Sequence, residues 1–343
     1  MRYVYVVVSS IDDYYAEQAM LSIISLKHYN ADAGVTLLTD RETYETFNGV
    51  RGDLKVLADD IKIVDVNEKF DRFQRSRYMK TSVRNLIDGD FVFLDVDTVV
   101  QGDLSELEQI ESEIAMVRQT ECIIPGVSLS KHLMKEYMAK IGASSNNSAK
   151  ITDFFNSGVI LCRDTPRTRQ LYNYWNEAWM NSSLNHDYHW DQPSLWLANF
   201  KVRNIIEELD GIYNCRAIYP EYALKYILNC RIFHYSSTSK RTSTTVFQHA
   251  DFLEKFRENG MTDDVLRTIE NVKAYYLDHI EVVARWHYDE CAEWNRYLEE
   301  RNERLREELD MEHNSLKALE AVVERDNIFL VRLSRKVSRI FSK

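Results

Sequence analysis

Phe91–Val92–Phe93–Leu94–Asp95–Val96–Asp97–Thr98–Val99–Val100 is the stretch that decides the fold. Its apolar run around Leu94 predicts a buried strand, covered on both faces of an open sheet. Asp88–Gly89–Asp90 punctuates it in front and Gln101–Gly102–Asp103 behind. On one extended strand Asp95 and Asp97 lean to the same face. Two neighbouring carboxylates repel, and a proton or a cation relieves them. Ligands bind at the carboxyl ends of strands in open α/β sheets. Mg²⁺ or Mn²⁺ takes one or two carboxylates and leaves positions for phosphate oxygens. The pair therefore predicts a metal–diphosphate site. The plainer reading is two aspartates that close a strand and cap Leu104–Leu107.

Working outward, Tyr3–Val8 is β-branched and aromatic, and the polar turn Ser9–Asp13 follows it. Apolar spacing predicts a helix over Tyr15–His28. Val35–Leu38 reads as a strand closed by Asp40. Leu54–Leu57 and Ile61–Val64 read as short strands, Tyr78–Ile87 as a helix and Ile114–Arg118 as a strand. This alternation predicts an α/β doubly wound, mostly parallel sheet of Rossmann-like type. Further on, Phe154–Cys162 is a turn feeding a buried strand. Thr165–Pro166 starts a helix to about Met180, with Pro in its first turn. Asp191–Gln192–Pro193 starts another through Leu197. Arg231–Tyr235 is a last short strand, followed by the polar loop Ser236–Lys240.

The length, 343 residues, allows one large domain with an appendage. A net charge of −11 excludes bulk nucleic-acid binding. Twenty Tyr against ten Gly and four Pro argue for an ordered chain. The five Cys include no C-x-x-C pair and read as reduced thiols. Met1–Val4 runs into a strand with no signal-like segment, and no run of eighteen apolar residues occurs. The expected location is cytoplasmic, peripheral on the inner face of the cytoplasmic membrane.

The membrane expectation comes from the C-terminal composition. The last Pro is Pro220 and the last Gly is Gly260. Leu309, Leu316, Val323, Leu330 and Val337 form one heptad row, with Asn302 in it. Leu298, Leu305, Leu319, Leu333 and Ile340 form a second, interrupted by Glu312 and Asp326. Together they predict a coiled-coil seam and a homodimer. A single helix folded back on the body is the alternative. Residues 331–343 hold Arg332, Arg335, Lys336, Arg339 and Lys343 with no acid, among apolar residues. That is a basic amphipathic tip suited to an anionic membrane surface, or an ordinary basic helix end. The expected division is 1–250 catalytic, 251–297 helical linker and 298–343 coiled coil with the basic tip.

Phe91–Val100 resembles the D-x-D strand of GT-A glycosyltransferases, most closely family 8. Four further features are similar, in the family's order. Val6–Val7–Val8–Ser9–Ser10–Ile11–Asp12–Asp13–Tyr14–Tyr15 resembles its first strand and the acidic, Tyr-containing turn that holds uridine. Phe155–Asn156–Ser157–Gly158–Val159 is similar to F-N-[AS]-G-V, which contacts the donor sugar. Asp191–Gln192 resembles the D-Q dipeptide beside the anomeric carbon. His234 and Lys240 match H-x-x-G-x-x-K, with Ser237 in place of Gly and Arg241 in place of Pro. The likeness covers about residues 1–245.

The resemblance implies a metal-dependent retaining transfer from a nucleotide-sugar, a UDP-sugar, with Mn²⁺ or Mg²⁺ as cofactor. It implies Asp95, Asp97 and His234 as metal ligands. It puts Val8, Ser9, Asp12, Tyr15, Val96, Asn156, Ser157 and Lys240 against the donor, with Tyr15 stacked on the base. Either Arg77 or Lys80 reaches the diphosphate. Gln192 lies under the anomeric carbon, and Asp191 is the fallback nucleophile. Elementary chemistry agrees: a diphosphate leaving group gains charge, and a metal with cationic side chains stabilises it. Glutamine is a poor nucleophile, which favours front-face attack. Trp175, Trp179, Trp190 and Trp196 are candidates for a saccharide-acceptor groove, with Trp175 and Trp196 better explained as core. The implied acceptor is a surface glycan or a lipid-linked saccharide. A sugar-nucleotide nucleotidyltransferase would need a Gly-rich basic loop after the first strand, and Ser9–Asp13 is acidic. A non-catalytic coiled-coil scaffold would have no need of Asp95, Asp97, His234 and Lys240.

Overall fold

The computed structural model describes residues 1–119, 137–141, 154–236 and 245–281, with isolated helical positions between 284 and 317. The chain begins with β1 (Arg2–Val7), α1 (Tyr15–Tyr29), β2 (Gly34–Thr39), α2 (Arg41–Glu45), α3 (Leu54–Leu57), β3 (Asp60–Ile63) and α4 (Arg72–Leu86). Then come β4 (Phe91–Leu94), β5 (Thr98–Val100), β6 (Ile114–Arg118), β7 (Phe155–Cys162), α5 (Pro166–Asn185) and α6 (Asp191–Lys201). The last elements are β8 (Ile206–Glu208), β9 (Cys215–Arg216), α7 (Pro220–Tyr226), β10 (Ile232–His234), α8 (Ala250–Asn259), α9 (Asp263–Glu270) and α10 (Val272–Asp278).

Among the described residues, seven strands form one sheet in the order β3-β2-β1-β4-β7-β6-β8. β1 runs parallel to β2 and β4, and β2 runs parallel to β3, as the alternating pattern predicts. β7 is the reversed strand, antiparallel to both β4 and β6. A second sheet of three strands, β5-β10-β9, stands apart from the first.

Period-two alternation divides each central strand between two cores. Tyr3, Tyr5 and Val7 of β1, with Val92 and Leu94 of β4, join one apolar cluster with α1. Val4 and Val6, with Phe91 and Phe93, join the other with α4 and α5. Both faces of the sheet are therefore covered, which explains the unbroken apolar runs. Each fully buried Leu, Val or Phe contributes about 1.5–3 kcal/mol of hydrophobic stabilisation before chain entropy is counted.

Two expectations are corrected. Phe91–Val100 is not one strand: β4 ends at Leu94, and β5 restarts at Thr98 in the other sheet. Asp95–Asp97 is the corner between them. Leu54–Leu57 is a turn of helix rather than a strand, and Leu54 alone of the four is buried. The apolar core runs on past residue 250. Leu253, Phe256, Val265, Ile269, Val272 and Tyr276 belong to the α1-side core, and the compact unit runs from Met1 to Ala284. The heptad rows and the basic tip lie almost wholly outside the described residues; Leu316 is helical and exposed. No described helix is long and apolar enough to cross a membrane.

Candidate active site

A cavity of about 440 Å³ opens at the carboxyl ends of β1 and β4. Val8, Asp13 and Tyr15 form one wall, Arg72, Arg77 and Lys80 of α4 the second, and Asp95–Asp97 the floor. The helix supplies its wall because positions 72, 76, 77 and 80 recur at helical spacing on one face. Its start is fixed by a capping box. Asp71 accepts from the Gln74 backbone N–H at 2.7 Å, and Gln74 Oε1 accepts from the Asp71 N–H at 3.0 Å.

Asp95, Asp97 and His234 bring one ligand atom each to within 4.8 Å of one another. The corner that carries the two aspartates is pinned on both sides. Asp95 N–H donates to the Gly158 carbonyl at 2.8 Å, and Tyr235 N–H donates to the Asp97 carbonyl at 3.1 Å. Thr98 Oγ1 donates to the Asp95 carbonyl at 2.7 Å. His234 is opposite Thr98 in the β5–β10 register, so strand pairing delivers it to the corner. Its Nε2 is 3.2 Å from Asp97 Oδ1. Lys80 Nζ donates to both Asp95 oxygens, at 2.8 and 2.9 Å.

One backbone group sets the polarity of a chain of amides behind this triad. Gly158 N–H can only donate, and it donates to Asn156 Oδ1 at 2.9 Å. Asn156 Oδ1 therefore also accepts from Asn214 Nδ2, at 2.8 Å. Asn214 Oδ1 then faces His234 Nδ1 at 2.9 Å and accepts its proton. That fixes the histidine tautomer and leaves the Nε2 lone pair toward the aspartates. In the other direction Asn156 Nδ2 donates to Gln119 Oε1 at 3.2 Å. Gln192 Nε2 donates to the same Gln119 oxygen at 3.0 Å. Among the described residues, the carbonyl oxygen of Gln192, not its NH₂, is the end left uncommitted.

Asp191, at the start of α6, is buried. Ser157 Oγ donates to it at 2.7 Å, and Lys80 Nζ and Arg77 Nε lie 3.7 and 3.5 Å away. Burial alone would push this carboxyl up, but Lys80, Arg77 and the Ser157 bond together hold it below the usual carboxylate range. It is an ionised, fully engaged anion. Burial likewise opposes the charge on Arg77, and Asp191, Asp95 and Asp97 more than restore it.

The structure thus brings together Val8, Tyr15, Arg77, Lys80, Asp95, Val96 and Asp97 around the cavity, with His234, Asn156, Ser157, Asp191 and Gln192 linked to them by the bonds above. Ser9 is behind the wall, where its Oγ donates to Asp13 at 2.5 Å. Asp12 is exposed and does not line the cavity; Asp13 does, and it pairs with Arg72 at 2.8 Å. Lys240 lies outside the described residues. Arg77 and Lys80 both line the cavity; Lys80 meets the floor at Asp95, and Arg77 Nε approaches Asp191 at 3.5 Å. Gln119 and Asn214 were missed, because a lone amide in sequence carries no chemical signature. Trp175, Trp179 and Trp196 are core, whereas Trp190 is 55% exposed beside Asp191.

A sheet ending in an acidic corner, with a histidine delivered from a second small sheet and cations above it, defines a glycosyltransferase of the GT-A type. Residues 6–241 match Glycosyl transferase family 8, and the chain belongs to that family. No curated protein sequence matches. The fold is similar to that of an active-site mutant of LgtC, with 15% identity and a TM-score of 0.50 over 78% of this chain and all of that one. It is also similar to the bifunctional glycosyltransferase WbbM, with 14% identity and a TM-score of 0.53 over 78% of this chain and 51% of that one. The likeness at this identity concerns the fold alone.

Proposed function

We propose that the protein transfers a sugar from a nucleotide diphosphate donor, a UDP-sugar, to a saccharide or lipid-linked glycan, with a divalent metal and with retention at the anomeric carbon. The observation that carries this is the convergence of Asp95, Asp97 and His234 beneath a cavity walled by Arg72, Arg77 and Lys80. The donor set suits Mn²⁺ or Mg²⁺: two carboxylates and an imidazole whose Nδ1 proton is already committed to Asn214. Such an ion, when bound, neutralises charge on a departing diphosphate.

The chain's own residues divide the remaining work. Lys80 and Arg77 stand ready to stabilise charge that grows on the leaving oxygen. Asp191 is a poor nucleophile, because two cations and a hydroxyl occupy its oxygens and lower its basicity. Its ion pairs instead hold the two cations in place. The carbonyl end of Gln192 stabilises positive charge developing at the anomeric carbon. Attack then comes on the face from which the phosphate leaves, and a phosphate oxygen takes the acceptor proton. Exposed Trp190, with the rings of Tyr137 and Tyr188 at 6.3 and 6.2 Å, supports a saccharide acceptor beside Asp191. A cytoplasmic, membrane-peripheral location is part of this proposal, and its membrane part rests on the basic tip of the sequence.

Release of UDP from a panel of UDP-hexoses in Mn²⁺ tests the reading. EDTA is expected to abolish release, and Asp97→Asn to lower kcat by about two orders of magnitude, the scale of one lost transition-state electrostatic group. Full turnover in EDTA would sink the proposal.

A further inference from the structure

Glu17 of α1 has no part in transfer, yet it is a fully buried carboxylate with a guanidinium on each side. Arg51, itself buried, donates to it through Nε at 2.7 Å and Nη2 at 2.9 Å. Arg257 of α8 donates to it through Nε at 2.6 Å and Nη2 at 3.1 Å. Both arginines also donate to one short stretch of backbone, and Arg51 Nη1 reaches Thr46 Oγ1 at 3.5 Å as well. Arg51 donates to the Ser10 carbonyl at 2.8 Å and the Asp13 carbonyl at 2.7 Å. Arg257 donates to the Ile11 carbonyl at 3.0 Å and also to the Asp13 carbonyl. The Arg257 guanidinium covers the Tyr14 ring at 4.5 Å, and Tyr14 Oη donates to Glu254 of the same α8 at 2.8 Å.

That backbone is the turn whose other side is the cavity wall: Asp13 and Tyr15 line the cavity. Desolvating two guanidinium groups around one carboxylate is costly unless their remaining donors are satisfied. Here the turn carbonyls accept from both arginines, so the ionic core and the turn conformation hold each other. Arg257 also lies beyond residue 241, where the family match ends.

We propose that Arg257 is a positioning residue for the donor site. With Glu17 and Arg51 it clamps the Ser10–Asp13 turn, so that α8, outside the transferase sheet, sets nucleotide affinity. This rests on the reading that the cavity takes a nucleotide diphosphate. By thermodynamic reciprocity, a nucleotide that needs the clamped turn must in return stabilise α8.

The test uses the full chain and UDP with Mn²⁺. Arg257→Ala is expected to raise the UDP Kd and the donor KM about tenfold, within the ordinary range of site-to-site coupling, with kcat changed far less. Arg257→Lys keeps the charge but not the fork, and recovers affinity only in part. Added methylguanidinium at millimolar concentration restores UDP binding to Arg257→Ala and leaves the wild type unchanged. In the wild type, UDP slows amide exchange in residues 250–259, a measurement that stands even if a variant folds poorly. Wild type that binds UDP, with Arg257→Ala binding it equally well and no protection of α8, overturns the clamp alone. Wild type that takes no UDP overturns both the nucleotide reading and the clamp.

Discussion

Gly158 carries more of the site than its size suggests. A Cβ there would overlap the His234 ring, reaching Nδ1 at 2.8 Å, and would sit 2.9 Å from Asn156 Oδ1. Both neighbours are buried and bonded, so neither yields cheaply. Gly158→Ala is therefore expected to displace His234 from Asn214 and to weaken Mn²⁺ binding by about 10–100-fold, the usual penalty for disturbing the support of a metal ligand. Calorimetric titration with Mn²⁺ checks it, and unchanged affinity would show that the amide chain does not orient the histidine. The glycine sat inside a recognisable motif, but its reason did not. The acidic corner, His234 and the Asp191–Gln192 pair were legible because carboxylate and imidazole carry chemistry by type and because five motifs stand in the family's order, although each motif alone is common. Asp13 was not separable from Asp12, since which of two adjacent carboxylates turns inward depends on Ser9, Ser10 and Arg72. Gln119 and Asn214 act only through partners far away in the chain.

At the scale of elements, α4 is the piece on which the cavity depends, since three of its cations line it. Its first turn carries Arg72 and Phe73 and is held by the Asp71–Gln74 capping box. Asp71→Ala removes the acceptor for the Gln74 N–H and is expected to cost about 1 kcal/mol, which lowers Tm by about 2 °C in a unit of this size. Donor KM should rise with it, because Arg72 and Arg77 lose their fixed approach. A thermal melt and a donor titration of the same variant check both; an unchanged melt would mean that α5 packing, not the cap, holds the turn. Element type was readable wherever the apolar period was long, as in α1 and β1; of α4 only Tyr78 onward was read, because Arg72–Arg77 hold charged and polar residues that carry no apolar period. It failed at Leu54–Leu57, where four residues are too few to separate a strand from a helical turn. It failed again at Asp95–Asp97, because an apolar run is the same whether one strand continues or two sheets meet at a corner.

For the whole molecule, composition pointed to a boundary near 250 because Gly and Pro thin out there, yet Leu253, Phe256, Ile269 and Tyr276 complete the α1-side core. Only past Ala284 does a separate unit begin. For that unit the sequence supports a definite expectation. The heptad rows from Leu298 to Ile340 are too apolar to stay bare, and Leu316 is 58% exposed in the single chain. A second copy of the chain is the partner that a repeating seam selects. Asn302 in the seam favours one register and two strands, as buried polar seam residues do elsewhere. In a parallel pair both sets of Arg332, Arg335, Lys336, Arg339 and Lys343 come to one end. Each basic residue close to an anionic surface contributes about 1 kcal/mol, so two tips hold where one is marginal. An antiparallel pair separates the tips and loses that gain. Light scattering of the full chain is expected to give the mass of a dimer. Co-sedimentation with phosphatidylglycerol vesicles is expected for the full chain, weaker at high salt, and lost in a chain ending at Val323. A monomeric full chain would rule out the paired seam, and vesicle binding that survives the truncation would rule out the basic tip as the membrane contact.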